Sequence, residues 1–109
     1  MFVAETEKNG IVGFADFGAA RESDFGFEAE LYAIYLLREF QGKGIGENLF
    51  RLCQKEMIAD NFDSMYLMAL AVSPYKSFYE KMGGKLIGQG NHFLALVEYE
   101  TIIYGWKNL

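Results

Sequence analysis

The segment Gln41-Gly42-Lys43-Gly44-Ile45-Gly46 constrains this chain more than any other. The run that leads to it, Glu30-Leu31-Tyr32-Ala33-Ile34-Tyr35-Leu36-Leu37, is apolar on both faces after its first residue. That pattern suits a central strand buried on both sides. Beyond the segment, Ile45, Leu49, Leu52, Cys53 and Met57 recur at helical spacing. Glu47, Arg51 and Lys55 follow each other at four-residue steps on the opposite face, in the favourable acid-before-base order. The spacing predicts a helix that ends near Asp60-Asn61. A strand therefore enters a glycine-rich turn that opens a helix. Glycines let the backbone approach a ligand and take positive φ. The unpaired N–H groups of a helix start, aided by the helix dipole, attract an anion. A pyrophosphate is the natural guest, but a glycine-softened turn with no ligand fits the same residues. A dinucleotide fingerprint fails at Glu47, which stands where a third glycine belongs, and no Gly-Lys-Ser/Thr marks a nucleotide P-loop.

The remaining elements follow by the same reasoning. Phe2-Val3-Ala4-Glu5 reads as a strand, Asn9-Gly10 as a hairpin turn, and Ile11 to Phe17 as the returning strand. The polar stretch from Gly18 to Phe25 reads as a loop. Met65 to Leu70 is a short apolar strand. Ser73-Pro74 predicts an N-cap followed by proline at the first helical position, with the helix running through Phe78-Tyr79 to Gly83-Gly84. A final hairpin is expected over 85–93 and 98–106. The order β-β-β-α-β-α-β-β implies a mixed α/β fold, a single domain over 1–109 with helices packed on a mixed sheet.

Bulk properties exclude several functions. At 109 residues, with 51% hydrophobic residues, the chain can build a core of its own. A net charge of -5 argues against nucleic acid, whose phosphates need a basic face, and fits an amine acceptor weakly. Cys53 is the only cysteine and His92 the only histidine, so neither a disulfide nor a Cys- or multi-His metal site is expected. No apolar run nears the roughly 20 residues of a membrane span, and no leader pattern is seen, so the expected compartment is the cytoplasm. Cys53 lies on the apolar helix face and reads as core, and His92 as a surface residue near a hairpin end.

Gln41, Gly44 and Gly46 fill the pattern Arg/Gln-x-x-Gly-x-Gly/Ala, and in this the segment resembles motif A of the GNAT N-acetyltransferase superfamily. Ser73 to Gly84 is similar to a second signature of that family, Asn-x-x-Ala-x-x-Phe-Tyr-x-x-x-Gly-Phe. Ile103-Tyr104-Gly105-Trp106 resembles the last strand of its bacterial members. Two ordered motifs at compatible spacing are more specific than either alone. The resemblance implies acetyl-CoA as co-substrate, held by the backbone across Gln41, Gly42, Lys43, Gly44, Ile45 and Gly46. It also implies Leu36 and Leu37 along the pantetheine arm, and Ser73, Lys76 and Tyr79 on the second helix.

Acetyl transfer from a thioester to an amine needs a deprotonated amine, a stabilised oxyanion and a protonated leaving thiolate. By resemblance Tyr79 is the acid that protonates the thiolate, although helix pattern alone favours a core aromatic. Glu30 is the candidate base, with Glu28 as a rival two residues earlier; a solvated strand end is the plainer reading of both. The oxyanion donor is expected to be a backbone N–H near Leu36, where the family's strand splays from its neighbour. Tyr32 and Tyr35 line either the acceptor side or the core. Arg38, Lys43 and Lys76 either meet phosphates or remain surface charges.

Two departures from the family stand out. Its members usually place a strand and two helices before the first hairpin, and this chain begins at the hairpin. Homodimerisation is one way to complete the acceptor wall, since an exposed apolar flank favours association. Ser73 stands where Asn is frequent, and Tyr75, where a small residue is common, would crowd the coenzyme channel or cover an open edge. The expected function is N-acetylation of a primary amine, small-molecule or peptide. The alternatives are a non-catalytic acyl-CoA-binding module or partner-dependent subunit, and an unrelated nucleotide-binding domain.

Overall fold

The computed structural model describes residues 1–94 and 96–109, without the side chains at 23 and 92–94. The chain runs through β1 (Phe2–Thr6), β2 (Gly10–Ala19), β3 (Ala29–Leu36), α1 (Ile45–Ala59), β4 (Met65–Leu70), α2 (Lys76–Lys81), β5 (Lys85–Leu94) and β6 (Val97–Trp106). The strands form a 6-stranded sheet in the order β1-β2-β3-β4-β6-β5. Among the described strands only β3 and β4 pair in parallel, because α1 lies between them and carries the chain back to the same end of the sheet. The other neighbours are antiparallel.

The element order is the expected one, and the bounds shift locally. Thr6 pairs with Gly10, so the first turn spans residues 7–9, and Gly10 takes φ 68 to close it. β2 continues to Ala19, beyond the Phe17 expected, because Gly18 and Ala19 pair with Glu30 and Ala29. The second helix begins at Lys76 rather than Pro74. Ser73 Oγ does accept the Tyr75 N–H at 3.1 Å, but Tyr75 takes the N-cap place. His92 pairs with Tyr99 in the backbone ladder, and its side chain, expected at the surface, lies outside the described residues.

Both helices cover one face of the sheet. The α1 stripe buries Leu49, Phe50, Cys53 and Met57, with Leu49, Phe50 and Met57 each contributing on the order of 1.5–3 kcal/mol. Phe50 meets the Trp106 ring at 5.3 Å and the Phe78 ring at 6.0 Å, and Tyr79 meets Tyr104 at 5.7 Å. Trp106 and Tyr104 are two residues apart on β6 and so share that face. Cys53 is fully buried, as expected, and burial pushes its thiol up to about 11. On the opposite face Tyr66 packs against Phe25 and Phe27 of the β2–β3 loop.

Candidate active site

The glycine-rich segment lies between a single 3-10 turn, Arg38–Phe40, and α1. Gly42 and Gly44 take φ 76 and 86, in the left-handed region, and Gly44 is the N-cap of α1. The first intrahelical bond runs from the Asn48 N–H to the Gly44 carbonyl, 3.0 Å. The N–H groups of Ile45, Gly46 and Glu47 precede it and have no partner within the helix. A β-carbon at Gly42 or Gly44 would meet nothing within 4 Å. Both glycines are therefore required by backbone conformation and not by crowding.

A cavity of about 380 Å³ opens beside this turn. Ile34, Tyr35 and Leu36 of β3 form one wall, and Gln41, Gly42, Gly44, Gly46 and Glu47 form the second. Tyr75, Phe78, Tyr79 and Lys81 from the α2 region close it. The volume falls within the range of small-molecule sites, roughly 300–1,000 Å³.

The cavity reaches into a break in the sheet. Among the described residues, β3 and β4 are paired at only two positions, Ala29 with Met65 and Glu30 with Tyr66. Beyond them the two strands diverge. The Leu37 N–H bonds the Val12 carbonyl of β2 at 2.8 Å. By strand alternation the backbone groups of Leu36 and Ile34 then point the other way, into the gap. The Leu36 carbonyl accordingly accepts the Gln41 side-chain amide at 3.0 Å.

Tyr79 stands at the gap. It is buried and helps to line both this cavity and a neighbouring one on the far side of the break. Burial, with the nearby Tyr75 phenol, raises its own phenol above the ordinary value of 10.0. It is therefore protonated at neutral pH and able to donate.

Glu30 does not reach this site. Its carboxylate is buried, accepts two bonds from the Arg21 guanidinium at 3.2 and 2.7 Å, and accepts the Tyr66 hydroxyl at 2.7 Å. Burial alone would raise the Glu30 carboxyl. The Arg21 side chain and backbone N–H, with Tyr66, outweigh that and hold it below 4.5. It pairs with Gly18 and Tyr66 at the end of β3 remote from Leu36, and the expectation that it acts as the base is withdrawn. The rival Glu28 accepts the Asp63 N–H at 2.7 Å and is equally remote.

Of the other candidates, Leu36, Gln41, Gly42, Gly44, Gly46 and Tyr79 meet around the cavity. Ser73 lines the neighbouring one. Leu37, Lys43, Ile45 and Lys76 are not among the lining residues. The Lys43 ammonium lies over the Phe40 ring, 5.5 Å from its centre. Arg38 is exposed and also outside the lining. Tyr35 lines both cavities, whereas Tyr32 bonds the Ala19 carbonyl and carries Arg21 on its ring at 4.5 Å. Lys81 is the lysine that reaches the cavity wall, and nothing in the sequence separated it from Lys76.

Residues 1–83 match the family described as Acetyltransferase (GNAT) domain. The chain belongs to the GNAT family. All of the chain aligns at 34% identity with the uncharacterised N-acetyltransferase YuaI of Bacillus subtilis, and covers 63% of it. The GNAT fold recurs in the ribosomal-protein-alanine N-acetyltransferase of Brucella melitensis, with TM-score 0.78 and 19% identity over 96% of this chain and 66% of that one. It recurs also in yncA of Salmonella typhimurium, solved with its cofactor acetyl-CoA, with TM-score 0.75 and 18% identity over 93% of this chain and 60% of that one. This GNAT chain thus spans less than two thirds of the length of these relatives.

Proposed function

We propose that the chain transfers acetyl from acetyl-CoA to a primary amine by direct attack. The observation that carries this reading is one cavity that joins the left-handed glycine turn, the unpaired edge of β3 at Leu36, and Tyr79. The acetyl-CoA held by yncA supports the choice of donor. The N–H groups at the start of α1 offer a cradle for pyrophosphate, and Lys81 a nearby cation.

At the gap, the backbone N–H of Leu36 or Ile34 is the donor for a thioester carbonyl oxygen as it gains negative charge. The neutral amine attacks the carbonyl carbon, forming the C–N bond as the C–S bond breaks. Tyr79 gives its proton to the departing sulfur, and the proton shed by the amine nitrogen restores the phenol through solvent. No carboxylate is needed as base if the amine arrives neutral. The products are the N-acetylated amine and free coenzyme A.

Thiol release from acetyl-CoA in the presence of primary amines tests the reading. Amine-dependent release that falls in Tyr79→Phe, with coenzyme affinity retained, is the expected result. Coenzyme binding without release on any amine would favour a non-catalytic binding module instead.

A further inference from the structure

We infer that the acceptor is a primary amine on an apolar body of about aromatic size, seated in a second cavity that opens at the gap between β3 and β4. The inference rests on the acetyl-transfer reading above and names the substrate class of that site. This second cavity, about 700 Å³, shares Ile34, Tyr35, Tyr75 and Tyr79 with the first. The two therefore meet at the gap between β3 and β4, with Tyr79 on the boundary.

Its position follows from strand alternation. Of its lining residues, Ile34, Ala69 and Tyr79 pack with the core under the helices. Ala33, Met68 and Leu70 are their neighbours along β3 and β4, so they face the other way. An amine entering from that face would approach the gap opposite the side on which the glycine turn lies.

The chemistry of the wall selects the guest. Phe14, Ala33, Met68, Leu70 and Val72 supply apolar surface, and among the described residues no charged side chain lines the cavity. Val72 is 85% exposed and Tyr35 55%, so this apolar surface is left open to solvent. Asp16, which pairs with Ala33 in the backbone, lies outside the lining, and the Met1 ammonium approaches it to 3.9 Å. The lining offers no acidic partner to the further charges of a polycation. An amine with a single nitrogen and an apolar body matches the wall instead, its body covering the exposed apolar side chains.

The test compares 2-phenylethylamine, n-pentylamine and n-propylamine with spermidine and lysine amide, at fixed acetyl-CoA. The expected kcat/KM rises along the alkyl series by about fourfold per methylene. For 2-phenylethylamine it exceeds that for spermidine by at least about a hundredfold. Val72→Asp, at an exposed position that does not threaten folding, should lower the rate with 2-phenylethylamine and narrow its lead over spermidine. It should leave the Kd of acetyl-CoA unchanged. Preference for spermidine or lysine amide, or a flat alkyl series, overturns the inference and leaves acetyl transfer standing. If no amine turns over, ligand-detected magnetic resonance on the coenzyme-loaded chain decides: contact between 2-phenylethylamine and the protein, weakened in Val72→Asp, sustains the inference, and no contact overturns it. Failure of acetyl-CoA itself to bind would overturn the acetyl-transfer reading, and this inference with it.

Discussion

The Gln41 side-chain nitrogen and the Tyr75 hydroxyl stand 3.0 Å apart, tying the glycine-rich turn to the N-cap of α2. The same nitrogen donates to the Leu36 carbonyl at 3.0 Å, so one amide joins all three walls of the cavity. Tyr75, which the sequence left either crowding the channel or covering an edge, lines both cavities and is 46% exposed. Tyr75→Phe removes one neutral hydrogen bond, worth roughly 0.5–1.5 kcal/mol. The Kd of acetyl-CoA, measured by calorimetry, should rise about two- to tenfold, and further in Gln41→Ala. Unchanged affinity in both variants would show that the tie does not shape the site.

The glycines of the turn should differ in tolerance. Gly44→Ala places a side chain at φ 86, where strain alone costs on the order of 1–2 kcal/mol. Relaxing that strain would turn the amides away from an anion, so both stability and coenzyme affinity should drop. At Gly46 a β-carbon would sit 3.8 Å from the Phe78 ring, an ordinary contact. Gly46→Ala should therefore be nearly neutral in stability. Thermal melts with and without acetyl-CoA check both, and equal losses would mean that crowding, not backbone conformation, governs the turn.

Tyr79→Phe should lower kcat by about 10²–10⁴, the usual contribution of a positioned acid, with the Kd of acetyl-CoA nearly unchanged. The raised phenol pKa sets the sign of the pH effect. Tyr79 keeps its proton up to and beyond pH 10.0, so its contribution to kcat should persist through the neutral range and fade only above that value. A Tyr79-dependent fall that starts near neutrality would contradict its role as acid.

Much of the architecture was legible because it rests on local periodicity. The two-sided apolar run of β3 and the helical stripe of α1 each declare themselves within one segment. Glu30 did not, because its partners lie elsewhere: Arg21 in the preceding loop and Tyr66 on β4. A buried, paired glutamate and a solvated one at a strand end have the same sequence. The divergence of β3 from β4 was expected only by resemblance, since no residue pattern marks where two strands stop pairing. Lys76 and Lys81 lie on the same short helix, and only its orientation decides which one reaches the cavity.

The Glu30 network should act on stability and not on catalysis. Glu30→Gln should cost roughly 1.5–3 kcal/mol at pH 7, the range for hydrogen bonds to a charged group. Because the native carboxyl lies below its ordinary 4.5, the wild-type advantage is complete above that pH. It declines as the pH falls below 4.5 and through the lowered native value. Urea unfolding of both forms at several pH values should show the gap narrowing on acidification. A gap that is constant with pH would assign the loss to packing, and a changed acetyl-CoA affinity would restore Glu30 to the site.

Calorimetric titration of the chain with acetyl-CoA, with NAD and ATP as controls, tests the central claim most directly. Saturable binding of acetyl-CoA in preference to NAD and ATP, lost or weakened in Gly44→Ala, is the predicted result. No binding of acetyl-CoA, or a preference for ATP or NAD, would contradict the account.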